Sequence, residues 1–197
     1  MNGKKELTSI LVKGVSEYGL TLESSQVDAF MKYMDVLKDW NKKINLTAIE
    51  DDIDIIIKHF IDSISCLKEE YFHENSKIID IGTGAGFPGI PMKIVRPDLN
   101  ITLLDSLKKR IVYLEHVINY LGLKDISALH GRAEDYGKEK QFREKYDIAI
   151  SRAVANLSVL SEYCLPFVKI GGYFISLKGP DVQQELEEAK NAIHLLG

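Results

Sequence analysis

The hydrophobic positions change their period once along the chain, near residue 75. Before that point they repeat at three and four. Leu7, Ile10, Leu11, Val15 and Tyr18, with Gly14 among them, form one helical stripe. Gly19 follows, where a left-handed residue ends a helix most cheaply. Leu22-Glu-Ser-Ser25 reads as the N-terminal cap of a second helix, with apolar positions Val27, Phe30, Met31, Met34 and Leu37. A third stripe runs from Ile53 through Ile56, Ile57, Phe60, Ile61 and Ile64 to Leu67. Such stripes are read as faces packed on a main core rather than as a partner surface.

From residue 77 short apolar runs alternate with helical stretches. The spacing predicts strands over 77–81, 100–105, 126–130, 146–151 and 172–178. It predicts helices over 106–122, with Ile111, Leu114, Val117, Ile118 and Leu121 on one face, and from about Val182 to Leu196. Alternating strands and helices imply an α/β fold, a mostly parallel, doubly wound sheet with right-handed crossovers. The chain is therefore divided into residues 1–74, a helical N-terminal extension packed on the core, and residues 75–197, a Rossmann-like core.

Composition narrows the class without naming a chemistry. Of 197 residues, 45% are hydrophobic and 27% charged, as in an ordinary globular protein. No apolar run approaches the ~18 residues of a membrane span, and Met1-Asn-Gly-Lys-Lys-Glu6 is too polar for a secretory signal. A cytoplasmic protein is expected. Cys66 and Cys164 are too few for a disulfide framework and flank no second metal ligand, so no metal is expected. With 25 basic and 29 acidic side chains the net charge is −4. A nucleic-acid partner would need a local basic patch working against that average.

The first chemical signal is the turn after the strand at 77–81, Asp80-Ile-Gly-Thr-Gly-Ala-Gly-Phe-Pro-Gly89. Glycines between a buried strand and a helix let backbone N–H groups approach a ligand closely. Two cofactors compete for it. Gly84 to Gly89 is a literal G-x-G-x-x-G, the dinucleotide fingerprint, but that fingerprint should start at the strand end, Gly82. The register Asp80-x-Gly-x-Gly-x-Gly86 instead resembles motif I of S-adenosylmethionine-dependent methyltransferases. Asp105, 23 residues beyond Gly82 at a strand end, suits the ribose of either cofactor. A nicotinamide-dependent oxidoreductase and a non-catalytic sensor of S-adenosylmethionine or nucleotide remain the competing readings at this point.

Further segments extend the resemblance. Asn45-Leu-Thr-Ala-Ile49, the turn through Pro91, Leu103-Leu-Asp-Ser-Leu-Lys-Lys-Arg110, Gly131-Arg-Ala-Glu134, Ile150-Ser-Arg-Ala153 and Leu177-Lys-Gly179 occur in this order. Together they closely resemble the bacterial 16S rRNA guanine-N7 methyltransferases, the RsmG family, also called glucose-inhibited division protein B. The resemblance covers about residues 20–190. It implies a class I methyltransferase fold, S-adenosylmethionine as cofactor with S-adenosylhomocysteine as product, and methylation of N7 of one guanine in 16S rRNA. The implied partner is 16S rRNA or a small-subunit assembly particle, with no membrane, and a monomer is favoured. Class I methyltransferases normally end on a reversed hairpin of two more strands. This chain stops at Gly197, so either it is a fragment or those final strands are dispensed with.

The resemblance carries cofactor contacts onto Gly82, Gly84, Gly86, Phe87, Asp105, Ala133, Glu134 and Arg152. No catalytic acid or base is expected. Exocyclic-amine methyltransferases carry an Asn- or Asp-Pro-Pro-aromatic motif where this chain reads Ser151-Arg-Ala-Val154. N7 of guanine is a ring lone pair with no proton to lose, so positioning suffices. Arg152 and Lys178 are the candidates for orienting the base. Lys42, Lys43, Lys108, Lys109, Arg110, Arg132 and Lys178 are the cations available to hold RNA.

Overall fold

The first stripe folds as α1 (Asn2–Ser16) and the second as α2 (Ser24–Ile44). The computed structural model describes residues 2–67, 70–152, 155–179 and 182–196; Ala153 and Val154, half of the stretch compared with an amine-methylating motif, lie outside them. The cap of α2 is Glu23 rather than a serine. Its backbone N–H donates to Gln26 Oε1 at 2.8 Å, a reciprocal capping box that replaces the hydroxyl cap expected from Ser24 and Ser25.

The third stripe is not one regular helix. It is α3 (Asp52–Ile55), a π-helical segment Ile56–Ile61 and α4 (Asp62–Ile64). Its start is fixed by Asp51, whose Oδ1 accepts from the N–H groups of Ile53 and Asp54. Gly14 lets α1 press against this segment, because a Cβ there would lie 2.2 Å from Cδ1 of Ile61. Leu11, Val15, Phe30, Met34, Leu37, Phe60 and Ile64 are consequently buried in one cluster.

The sheet comprises β1 (Lys77–Ile81), β2 (Asn100–Asp105), β3 (Ile126–His130), β4 (Tyr146–Arg152) and β5 (Val168–Leu177). Every pairing is parallel and the order is β3-β2-β1-β4-β5. Helices α5 (Gly89–Val95), α6 (Lys108–Leu121), α7 (Ala133–Tyr136), α8 (Leu157–Cys164) and α9 (Val182–Leu196) follow the successive strands. Both faces of the sheet are covered, as a parallel sheet requires. Ile78, Ile101, Leu103, Ile148 and Ile150 face the N-terminal helices, α5 and α6. Ile79, Ile81, Leu104 and Ala149 face Cys164 and Phe167 on the other side. No described helix is long and apolar enough to cross a membrane.

One strand starts earlier than its pattern suggests. β5 begins at Val168, not Gly172, because Val168 pairs with Tyr146 while Tyr173 pairs with Ile148. The residues between them bulge, with Gly171 at φ +79°. Lys169-Ile-Gly-Gly172 looks like a turn because it is an irregularity inside the strand.

The topology sets the site. Strand order reverses between β1 and its neighbours β2 and β4, so the crevice beyond their carboxyl ends is where a parallel sheet offers space to a ligand. Ile81 is in register with Leu104, and Asp105 with His130. The loops after all three strands therefore leave from one edge.

Candidate active site

The glycine turn takes positive φ three times, at Gly82 (69°), Gly84 (61°) and Gly86 (96°). Side chains at these positions would be strained. The turn leaves the sheet without breaking its hydrogen bonding, since the N–H groups of Gly82 and Thr83 donate to the Leu104 carbonyl at 2.9 and 3.2 Å. Beneath it lies Asp80, fully buried. Its Oδ2 accepts from Thr83 Oγ1 at 2.7 Å and from the Gly89 N–H at 2.9 Å, which ties strand end, turn and helix start together. Its Oδ1 has no partner among the described residues. Burial pushes this carboxyl up to about 6, against the two hydrogen bonds that pull it down.

That shift has a sign that can be measured. An acid whose folded pKa lies above its unfolded value of 3.8 stabilises the fold when protonated, and loses this as pH rises through about 6. Asp80→Asn keeps an acceptor for Thr83 and Gly89 and cannot ionise. The stability of wild type relative to Asp80→Asn should therefore fall between pH 4 and 7, by on the order of 1–3 kcal/mol. Thermal unfolding of both across that range reads the difference directly. His59, whose pKa moves the opposite way, is common to both proteins and cancels.

Asp105 closes the turn from the side. Its Oδ2 accepts from the Gly84 N–H at 3.0 Å and from Arg110 Nη1 at 3.2 Å, and its Oδ1 from the Leu107 N–H at 2.9 Å. A carboxylate offers about four acceptor positions, so one is left while Arg110 stays in place. Two incoming hydroxyls would need Arg110 to swing aside, which its 31% exposed side chain allows. Arg110 is thus the partner of Asp105, whereas Lys108 and Lys109 are exposed, with no ion pair among the described residues.

Four of the predicted cofactor contacts meet in one open cleft of about 150 Å³. Gly82, Asp105, Ala133 and Glu134 line it, with Ser106, Arg132 and Tyr163. Tyr163 comes from α8 and belongs to no motif; only its place on a helix behind β4 could have drawn attention to it. Gly84 borders the turn, where an added Cβ would meet only the Gly82 carbonyl, at 3.9 Å. Gly86 and Phe87 lie deeper and are buried. A Cβ on Gly86 would come 2.8 Å from the hydroxyl of Tyr33, which itself donates to the Ala85 carbonyl at 2.5 Å. The N-terminal helices therefore support the turn directly, a contact no sequence motif announces.

Arg152 ends β4 and is not among the residues that line that cleft. Its Cζ sits 4.9 Å from the ring centroid of Phe87. Nη1 donates to Asp62 Oδ2 at 2.9 Å and to the Lys58 carbonyl at 3.2 Å, and Nη2 lies 3.1 Å from His59 Nδ1. The guanidinium joins the sheet edge to the π-helical segment. Lys178 is less available, because its ammonium donates to the Ala155 carbonyl and pairs with Glu185 at 2.7 Å. Lys42 pairs with Asp39 at 3.2 Å on the exposed surface.

Comparison with known proteins follows the same outline. The family described as rRNA small subunit methyltransferase G matches residues 26–197. The chain is 54% identical to the ribosomal RNA small subunit methyltransferase G of Clostridium novyi (strain NT), over all of this chain and 81% of that protein. It is 56% identical to the protein of the same description from Clostridium beijerinckii, over 95% of this chain and 79% of that one. Among solved structures it is similar to a SAM dependent methyltransferase from Aquifex aeolicus, with a TM-score of 0.51 and 22% identity over 77% of this chain and 87% of that one. A structure from Methanococcus maripaludis described as an S-adenosyl-L-methionine-dependent methyltransferase gives a TM-score of 0.57 at 17% identity, covering 84% of each chain.

Proposed function

Because the chain belongs to the rRNA small subunit methyltransferase G family, we propose that it transfers a methyl group from S-adenosylmethionine to N7 of a guanine in 16S ribosomal RNA. The observation that carries the site assignment is the cleft at the sheet's reversal point, where the carboxylate of Asp105 faces the glycine turn. Locating the methyl group transferred to 16S rRNA tests the whole reading.

The residues present suit an adenosyl ligand. Asp105 has acceptor capacity for ribose hydroxyls, Gly82 lines the cleft beside it, and Ala133, Glu134 and Tyr163 provide the remaining wall. Gly86 and Phe87 act from below by shaping the turn. When bound, S-adenosylmethionine supplies an electrophilic methyl group on a sulfonium. The protein's task is to hold the guanine with N7 in line with that bond and to keep water out, worth several kcal/mol of barrier when geometry is right. No side chain needs to remove a proton, and Arg152 and Lys178 are orienting groups rather than acids or bases.

Residues 1–74 belong to this working unit in our reading, since Tyr33 supports the turn and Asp62 pairs with Arg152. An rRNA substrate would place the protein in the cytoplasm. The RNA is held by exposed cations after β2 and β3, Lys108 and Lys109 first, with Arg132, and by Lys43 on α2. Lys109→Ala should leave S-adenosylhomocysteine affinity unchanged and lower the slope of log affinity for RNA against log salt by about 0.7–0.9. RNA titrations over a salt series check this, and an unchanged slope would make Lys109 a solvated helix start. Arg110→Ala, in contrast, should change cofactor affinity, because Arg110 occupies an acceptor position of Asp105 that the ribose hydroxyls would take.

A further inference from the structure

His59 is a buried titratable side chain that the site described above leaves without a role. It lies on the π-helical segment, 9% exposed, with its ring stacked on Phe87 at 4.5 Å between centroids and 17° between planes. Its Nε2 is 2.8 Å from Thr47 Oγ1 and its Nδ1 is 3.1 Å from Nη2 of Arg152. A guanidinium carries donors only, so Nδ1 has to be the bare nitrogen and Nε2 carries the hydrogen that Thr47 Oγ1 accepts. Thr47 is itself fixed. Its N–H donates to Asn41 Oδ1 and its carbonyl accepts from Asn41 Nδ2, both at 2.9 Å, and its Oγ1 also accepts from the Ile49 N–H at 3.1 Å. Burial and the neighbouring Arg152 charge hold the imidazole down at about 4, which keeps it neutral in the working range. A continuous path of hydrogen bonds thus runs from α2 through the Asn45-Leu-Thr47 loop to the guanidinium over Phe87.

We propose that His59 is a positioning residue of the methyl-transfer site: pinned by Thr47 as its Nε2–H tautomer, it accepts from Arg152 and fixes the plane of that guanidinium over Phe87. Four acceptors crowd Nη1, namely the Lys58 and His59 carbonyls, Asp62 and Ser63, at 2.9 to 3.5 Å. These anchor one end of the fork. A rigid acceptor on Nη2 is what stops rotation about that anchor, because two fixed points define a planar group's orientation where one does not. The role rests on the reading of Arg152 as part of the methyl-transfer site.

Two substitutions separate positioning from packing. His59→Phe keeps a ring on Phe87 and removes the acceptor; His59→Asn removes the ring and keeps an acceptor close to the place of Nδ1. Turnover is measured with S-adenosylmethionine and 16S rRNA in a small-subunit particle, together with thermal unfolding of each variant. The expected result is a kcat lowered about 10- to 100-fold in His59→Phe, a size typical of a misplaced orienting group. His59→Asn should turn over faster than His59→Phe although it unfolds at a lower temperature. In an Arg152→Ala background, His59→Phe should slow turnover no further. If His59→Phe turns over faster than His59→Asn, or if Arg152→Ala is slow while His59→Phe matches wild type, His59 is packing alone and the proposal is overturned. If Arg152→Ala itself turns over like wild type, the reading of Arg152 fails and the proposal fails with it.

Discussion

Replacing Asp105 with Ala is expected to weaken S-adenosylhomocysteine binding by about 2–3 kcal/mol, roughly 30- to 150-fold, with the fold retained. The size follows from two losses. The variant removes an anionic acceptor 2% exposed at the mouth of the cleft, and it frees the Gly84 N–H that this carboxylate holds at 3.0 Å. Asp105→Asn should fall between wild type and Ala, because its amide oxygen can still accept from Gly84. Calorimetric titration of the three proteins with S-adenosylhomocysteine gives the order. Equal affinities in folded proteins would move the ribose away from β2.

Arg152→Lys is expected to lose nearly as much turnover as Arg152→Ala, about 100-fold, despite keeping the charge. A guanidinium presents five donors in a plane and lies flat on an aromatic ring; an ammonium does neither. At this position Cζ lies 4.9 Å from the Phe87 ring centroid, Nη1 meets Asp62 and the Lys58 carbonyl, and Nη2 meets His59. A lysine could keep the contact to Asp62, whose side chain is 50% exposed, and little else. The fall should appear in kcat more than in the salt dependence of RNA binding, because Arg152 is 13% exposed and not a surface phosphate contact. A Lys variant within a few-fold of wild type would show that charge alone matters there.

What could be read in the sequence was whatever local chemistry enforces. Asp80-x-Gly-x-Gly-x-Gly86 has to be a turn between strand and helix, and the three positive φ values show why only glycine serves. Short apolar runs located all five strands, because both faces of a parallel sheet must be apolar, and a period of 3.6 located the helix after β2. The parts that escaped depend on distant residues. Nothing in Ile53 to Leu67 distinguishes a π-helical segment from an α-helix, since the apolar stripe satisfies both. Lys178 reads as a free cation until Glu185 on α9 is placed beside it. Arg110 reads as the third member of a basic cluster until Asp105 is seen to hold it. His59 reads as one polar residue inside an apolar stripe, and its role emerges only where Thr47, Phe87 and Arg152 converge from three separate segments.

The most direct test of the central claim is to incubate the protein with methyl-labelled S-adenosylmethionine and 16S ribosomal RNA, free and within small-subunit particles, and to locate the label. The account predicts label on N7 of a guanine, seen as strand cleavage at that residue after borohydride reduction and aniline treatment. Label on an exocyclic amine or a ring carbon, or no transfer to either form of the RNA, would contradict it.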